Sequence, residues 1–192
     1  MLARTHDLAA FTALSVAIVI VAPQGITLST LLVTLFANQF GGILPDIDQP
    51  TAPFWRNLPS GHFFGKIFSK MSGGHRFICH SLLGVVLFAF LCYLLLTFLQ
   101  PVIPSVQIML VWWAFVIGLL SHLLMDMFTK EGLPLLLPFP TKIGIPPVRH
   151  LRITTGKSVE LFVIFPGLVA INIWLYASHY SQVTDFLHHI VK

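Results

Sequence analysis

Five apolar runs constrain this chain more than anything else in it. Crossing the hydrocarbon of a bilayer as a helix takes about 20 residues. The runs cover roughly 6–22 ("HDLAAFTALSVAIVIVA"), 26–44 ("ITLSTLLVTLFANQFGGIL"), 79–99 ("CHSLLGVVLFAFLCYLLLTFL"), 106–128 ("VQIMLVWWAFVIGLLSHLLMDMF") and 159–178 ("VELFVIFPGLVAINIWLYAS"). Only 9% of the residues are charged, against about 25% in a soluble domain. The expected architecture is therefore all-α: one polytopic membrane bundle over 1–192, with five transmembrane helices and short interfacial ones. Seventeen Phe and four Trp suit a lipid-facing surface with interfacial anchors. The net charge of +4 rests on too few charges to predict a nucleic-acid partner. The first run could be read as a signal peptide, but Pro23 follows its only small-residue site at Ala22, a poor cleavage context. Pro166 predicts a kink in the fifth run. Cys79 and Cys92 share one apolar stretch and read as small helix residues, not as a disulfide.

The connections alternate in charge. "PQG" and "QPVIPS" carry no Lys or Arg. The loop 46–78 carries Arg56, Lys66, Lys70 and Arg76, and the loop 129–158 carries Lys130, Lys142, Arg149, Arg152 and Lys157. With Arg4, this places the N-terminus and both long loops on the cytoplasmic side by the positive-inside rule. "HFFGKIFSKM" (62–71) has Phe63, Phe64, Ile67, Phe68 and Met71 at helical spacing, with Lys66 and Lys70 on another side, and predicts a helix lying on the inner leaflet. "GLPLLLPFPTKIGIPPV" (132–148) is apolar but too rich in proline for a regular helix. Val183, Phe186, Leu187, Ile190 and Val191 predict a short surface helix after Ser178 on the outer face.

On this topology the acids and histidines collect at one level. His6 and Asp7 open the first span, and Asp46 and Asp48 close the second. His75, Arg76 and His80 open the third, His122 and Asp126 close the fourth, and Glu160 opens the fifth. Insertion does not require this, because acids contribute little to orientation. Ionisable groups at membrane depth are costly unless paired or functional.

The spacings fit metal ligation. His122 and Asp126 are i and i+4, on one helical face. Pro45 biases Leu44 away from helix, and in an extended segment Asp46 and Asp48 point the same way. His75 is expected at the entrance of the third helix and His80 inside it. Carboxylate and imidazole without thiolate suit one or two divalent ions, zinc first, then manganese or iron, and magnesium less well. Blander readings remain open: Asp7 and Glu160 as helix-capping acids, His122 with Asp126 as a structural pair, and Asp46 and Asp48 as turn residues. His62 and His150 read as solvated, and His179, His188 and His189 lie on the far side. "TTGKS" (154–158) lacks the first glycine of a phosphate-binding loop, since position 151 is Leu. Ser81 and Ser121 each neighbour a histidine, but no G-x-S-x-G elbow is present.

"LPDID", "GHRFICHSLLG", "SHLLMDMFTKEGLPLLLPFP" and the downstream Glu160, in this order, resemble the YdjM/YbcI-like family of bacterial inner-membrane predicted metal-dependent hydrolases. The resemblance runs from His6 to about Glu160. It implies polar motif residues at His6, Asp46, Asp48, His75, Arg76, His80, His122, Asp126 and Glu160. Where the family often has "DIDH" this chain has Gln49, and where it commonly has "HRGxTHS" Phe77 and Cys79 replace Gly and Thr.

The expected function is a membrane-bound hydrolase of the bacterial inner membrane, its site facing the cytoplasm. Its metal would activate water against a phosphoester of a lipid or other amphiphilic substrate. The expected ligands are His6, Asp46, Asp48, His75, His80, His122, Asp126 and Glu160. Asp48 or Glu160 is the candidate general base. Arg76 is the candidate stabiliser of an anionic transition state, ahead of Arg149 and Arg152. Membrane lipids are the expected partners, and an amide or ester bond stays open. Two alternatives belong to other classes. A divalent-metal or proton-coupled transporter would place its site nearer the midplane. A non-catalytic membrane protein with a structural metal would need no open coordination position.

Overall fold

The computed structural model of the protein describes residues 1–73, 76–139 and 141–191. Eight helices follow in order: α1 (Ala3–Val21), α2 (Leu28–Ile43), α3 (Pro53–Arg56), α4 (Gly61–Met71), α5 (Leu82–Leu99), α6 (Ile108–Met127), α7 (Phe165–Ser178) and α8 (Tyr180–Val191). Among the described residues there is no β-strand, only two isolated bridges. Five segments are long and apolar enough to span a membrane: α1, α2 with the turn that follows it, α5, α6, and Glu160–Ser178. The all-α membrane bundle expected from the sequence is the fold observed.

The bundle is organised around α6, which packs against α1, α2 and α5. Between helices in lipid there is no hydrophobic drive, so close backbone approach and interhelical hydrogen bonds supply the association. α2 and α6 meet this need with glycine. A Cβ on Gly41 would run into the Phe115 carbonyl, and one on Gly118 into the Asn38 carbonyl. Asn38 Nδ2 donates to Ala114 O at 3.0 Å across the same seam. Ala37, Val111, Phe115, Leu119 and Leu123 form the buried core beside it. α7 leans on α1 through polar pairs, Asn172 Nδ2 to Thr12 Oγ1 at 2.6 Å and Ser15 with Tyr176 at 2.8 Å.

The structure revises three local expectations. Leu44 stays helical (φ −59°, ψ −37°) despite Pro45, and Leu44–Asp48 is a 3-10 turn continuing α2 rather than an extended segment. Proline is well placed at the start of such a turn, because its fixed φ is already helical. α5 begins at Leu82, so His80 lies in a short 3-10 turn, Ile78–His80, and not inside the helix. The cause is Ser81, whose Oγ accepts the Gly84 N–H at 3.1 Å as an N-cap. Pro166 does not simply bend a regular helix. The turn before it, Glu160–Ile164, widens to a π-helix, which absorbs a residue that cannot donate to the preceding turn. The loop 132–148 folds back on the core: Leu133 and Ile143 exchange main-chain hydrogen bonds at 2.8 Å, and Leu133 is fully buried.

α4 is the helix expected over 62–71. Gly61 and Gly65 pack closely on Trp55, Lys66 and Lys70 are exposed, and Phe63, Phe64, Ile67 and Met71 form an exposed apolar face. Cys79 and Cys92 are both free.

The glycine seam gives a direct test. Gly118→Leu forces a side chain into the α2 backbone. Overpacking of this kind costs about 1–3 kcal/mol. The thermal midpoint of the detergent-solubilised protein is expected to fall, whereas Leu120→Ala, on an exposed position of the same helix, leaves it nearly unchanged.

Candidate metal centre

α2 runs out of helical partners for its carbonyls in its last turn, since Pro45 has no N–H to offer. One of these carbonyls, Gly42 O, lies 2.6 Å from Nδ1 of His122 on α6. A carbonyl only accepts, so Nδ1 carries the proton and Nε2 is left as a lone pair. His122 is fully buried, and its Nε2 has no hydrogen-bond partner.

Three other side chains face that nitrogen. Asp46 Oδ1, from the 3-10 turn, is 3.7 Å from His122 Nε2 and 3.5 Å from His80 Nε2. Asp126 Oδ2, one turn below His122, is 3.9 Å from His122 Nε2 and 3.8 Å from His80 Nε2. Ligands about 2.1 Å from a tetrahedral ion lie about 3.4 Å from one another. Asp46 Oδ1, His80 Nε2 and His122 Nε2 could therefore hold one such ion after a contraction, with its fourth position left open. His6 is beside this set rather than within it: its ring stacks on His122 at 3.9 Å, and its Nε2 is 3.3 Å from Asp126 Oδ1. The ligand atoms of His6, His122 and Asp126, and those of Asp46, His80 and His122, each fall within 4.8 Å of one another. Both groups use His122, whose one available nitrogen can serve a single ion.

Further residues hold these side chains in place. Asp48 Oδ2 is 3.1 Å from His80 Nδ1 and accepts the Arg76 main-chain N–H at 3.0 Å. Residues two apart in a 3-10 turn point about 120° away from each other, which is why Asp46 and Asp48 do not share a face. Asp48 thereby turns His80 Nε2 toward Asp46. This carboxylate–imidazole relay is the usual support of a ligating histidine. Burial alone would lower the pKa of His80, which precedes the α5 span. The Asp46 and Asp48 carboxylates outweigh it and raise the imidazole to about 9. Trp55 Nε1 donates to Ile47 O at 2.7 Å and pins the turn between the two aspartates.

Arg76 Nη2 is 2.7 Å from Asp126 Oδ2, and Nη1 donates to Thr129 Oγ1 at 3.0 Å. Thr129 in turn donates to Asp126 O at 2.7 Å. Arg76 holds a left-handed backbone (φ 59°), uncommon for a side chain of this size. Its guanidinium is nine-tenths buried and neutralises Asp126, with Glu131 Oε2 3.6 Å away on the solvent side. Met1 main-chain N lies 2.7 Å from Asp126 Oδ1.

The structure thus brings together His6, Asp46, His80, His122 and Asp126, with Asp48 and Arg76 behind them. Glu160 lies apart from both groups: its carboxylate accepts main-chain N–H from Leu2 at 2.6 Å and Gly156 at 2.7 Å. His75 is outside the described residues. Sequence reasoning missed Gly42, Trp55, Thr129 and Glu131. A main-chain carbonyl leaves no mark in a sequence, and a lone Trp or Thr in a loop gives no periodic signal.

A family model described as "YdjM inner membrane protein" matches residues 1–184. The chain belongs to that family. It is a multi-pass protein of the bacterial inner membrane. "Inner membrane protein YdjM" of Escherichia coli (strain K12) and that of Shigella flexneri are each 33% identical over 138 residues, 69% of this chain and 61% of theirs. "Uncharacterized protein YvsG" of Bacillus subtilis (strain 168) is 29% identical over 124 residues, 65% of this chain and 66% of the relative. The matches thus span just under two thirds of these relatives' length. No solved structure matches.

Cys79 sits beside the site and substitutes for no ligand, because burial pushes its thiol up to about 12. A thiol that stays protonated is inert. Iodoacetamide at about pH 8 is expected to leave Cys79 unlabelled in the folded protein and to label it fully after denaturation, as read by peptide mass spectrometry.

Proposed function

We propose that this protein is a membrane-bound, metal-dependent hydrolase acting on a phosphoester of a lipid or other amphiphile at the cytoplasmic leaflet. The supporting observation is the convergence of Asp46, His80 and His122, whose ligand atoms all lie within 4.8 Å of one another, with the far nitrogen of each imidazole held by Asp48 or Gly42 O. A divalent cation, zinc by ligand type, would supply Lewis acidity to a water and to a phosphoryl oxygen there.

The chain's own groups divide the remaining work. Asp46 is 21% exposed, whereas His80, His122 and Asp126 are buried, so the substrate approaches from the Asp46 side. Asp48 and Glu160 have their oxygens engaged by His80, Arg76 and main-chain N–H groups, which leaves them positioning roles. Glu131, 61% exposed and beside the Arg76 guanidinium, is the carboxylate free to move and take up a proton. Arg76 keeps Asp126 ionised and oriented and adds positive charge at the level of an anionic substrate. The basic residues of the two long loops favour the cytoplasmic side. Both candidate ligand groups lie at this one end of the bundle, which favours surface chemistry over a transport site reached from both sides.

The test is product release from a panel of phospholipids and lipid-linked phosphates by protein loaded with zinc, manganese or iron. Metal-dependent turnover is expected from the wild type and none from His122→Ala or Asp46→Ala. Glu131→Gln is expected to lower kcat by about 10²–10⁴ without lowering metal content. Asp48→Asn is expected to weaken metal binding by about 10–100-fold. Metal-loaded protein that turns over nothing on the panel, with sealed vesicles showing metal flux instead, would favour the transporter.

A further inference from the structure

α6 and α7 are both spanning segments, but they do not pack on each other over their cytoplasmic halves. Between them lies a groove of about 290 Å³. All nine residues that line it are apolar, among them Met125 and Phe128 of the α6 end, Ile153 of the returning loop, and Ile164, Gly167 and Leu168 of the fifth span. Gly167 opens directly into it: a Cβ there would meet nothing within 4 Å. The π-helical turn Glu160–Ile164 and Pro166 set how α7 leaves this level, and α7 keeps its contacts with α1 instead of α6.

We infer that this groove seats one acyl chain of an anionic glycerophospholipid, delivering its headgroup to the level of the metal centre. Two observations select this occupant. The first is position. The groove faces hydrocarbon along its length, yet Met125 and Phe128 flank Asp126 in sequence. Met1, which also lines it, has its main-chain nitrogen 2.7 Å from Asp126 Oδ1. A chain in the groove therefore ends where the candidate ligands begin. The second is charge. Arg4 is exposed with its guanidinium over the Phe165 ring, next to Ile164, and exposed Lys130 donates its main-chain N–H to Ile153 O. The Arg4 guanidinium and the backbone of Lys130 thus lie beside the groove's cytoplasmic end. The acids nearby are turned elsewhere, Glu131 toward Arg76 and Glu160 onto the Leu2 and Gly156 amides. An apolar slot with a cationic mouth matches an acyl chain ending in a phosphate.

The inference deepens the lipid reading of the substrate, but its test reads occupancy, not turnover. Full-length protein is reconstituted into phosphatidylcholine vesicles containing phosphatidylglycerol with a photoreactive diazirine in one acyl chain. After illumination, labelled peptides are mapped by mass spectrometry. Labelling of Ile164–Ile171 and Met125–Phe128 is expected to exceed that of the exposed α5 face around Leu87, Leu91 and Leu94, which lines no groove. Gly167→Phe and, independently, Val163→Trp are expected to reduce it to the α5 level while leaving α5 labelling unchanged. Gly167→Ala is expected to retain it. Even labelling around the whole belt, labelling that survives both filling variants, or crosslinks from this face to a second copy of the chain would each overturn the inference. Groove labelling in a protein that hydrolyses nothing would instead count against the hydrolase reading alone.

Discussion

The hydrogen bond from His122 Nδ1 to Gly42 O connects the packing of this bundle to its chemistry. It exists because α2 and α6 approach closely enough for glycine to be required on both sides of the seam, at Gly41 and Gly118. It also needs a carbonyl that the helix does not use, which the last turn of α2 provides. The bond fixes the imidazole tautomer and points an unpartnered nitrogen at three other donors in a dry environment. An uncompensated lone pair at this depth is costly. A cation shared by the His80 and His122 imidazoles and the Asp46 carboxylate would satisfy these groups at once.

The second half of the site depends on the 3-10 turn after α2. By separating Asp46 from Asp48 it gives one carboxylate to the cage and the other to the back of His80. Trp55 holds this turn and is itself covered by Gly61 and Gly65 of α4. The interfacial helix is thus mechanically joined to the centre. A displacement of α4 would be felt at Asp46, the candidate ligand nearest to solvent.

Much of the fold could be read from the sequence, because apolar length is a strong signal and the five spans lie within a few residues of where the runs place them. The i, i+4 spacing of His122 and Asp126 likewise put two of the gathered side chains on one face, and the one-sided placement of acids and histidines foretold their gathering. The roles within the gathering were not readable. Asp48 and Asp46 are equivalent in sequence and become different only through the turn geometry. Glu160 shares their chemistry and their end of the bundle, but the unpaired amides of Leu2 and Gly156 take it first. The supporting contributions of Gly42 and Thr129 come from a main-chain carbonyl and a hydroxyl bridge, which appear only once the helices are side by side.

The central claim is that Asp46, His80 and His122 would hold a cation with its fourth position open, and X-ray absorption spectroscopy of the zinc-loaded, detergent-purified protein reads it directly. The account predicts four nitrogen or oxygen neighbours at about 2.0–2.1 Å and the outer-shell signature of two imidazoles, with no sulfur. A sulfur neighbour at about 2.3 Å, or a zinc shell without imidazole scattering, would contradict it.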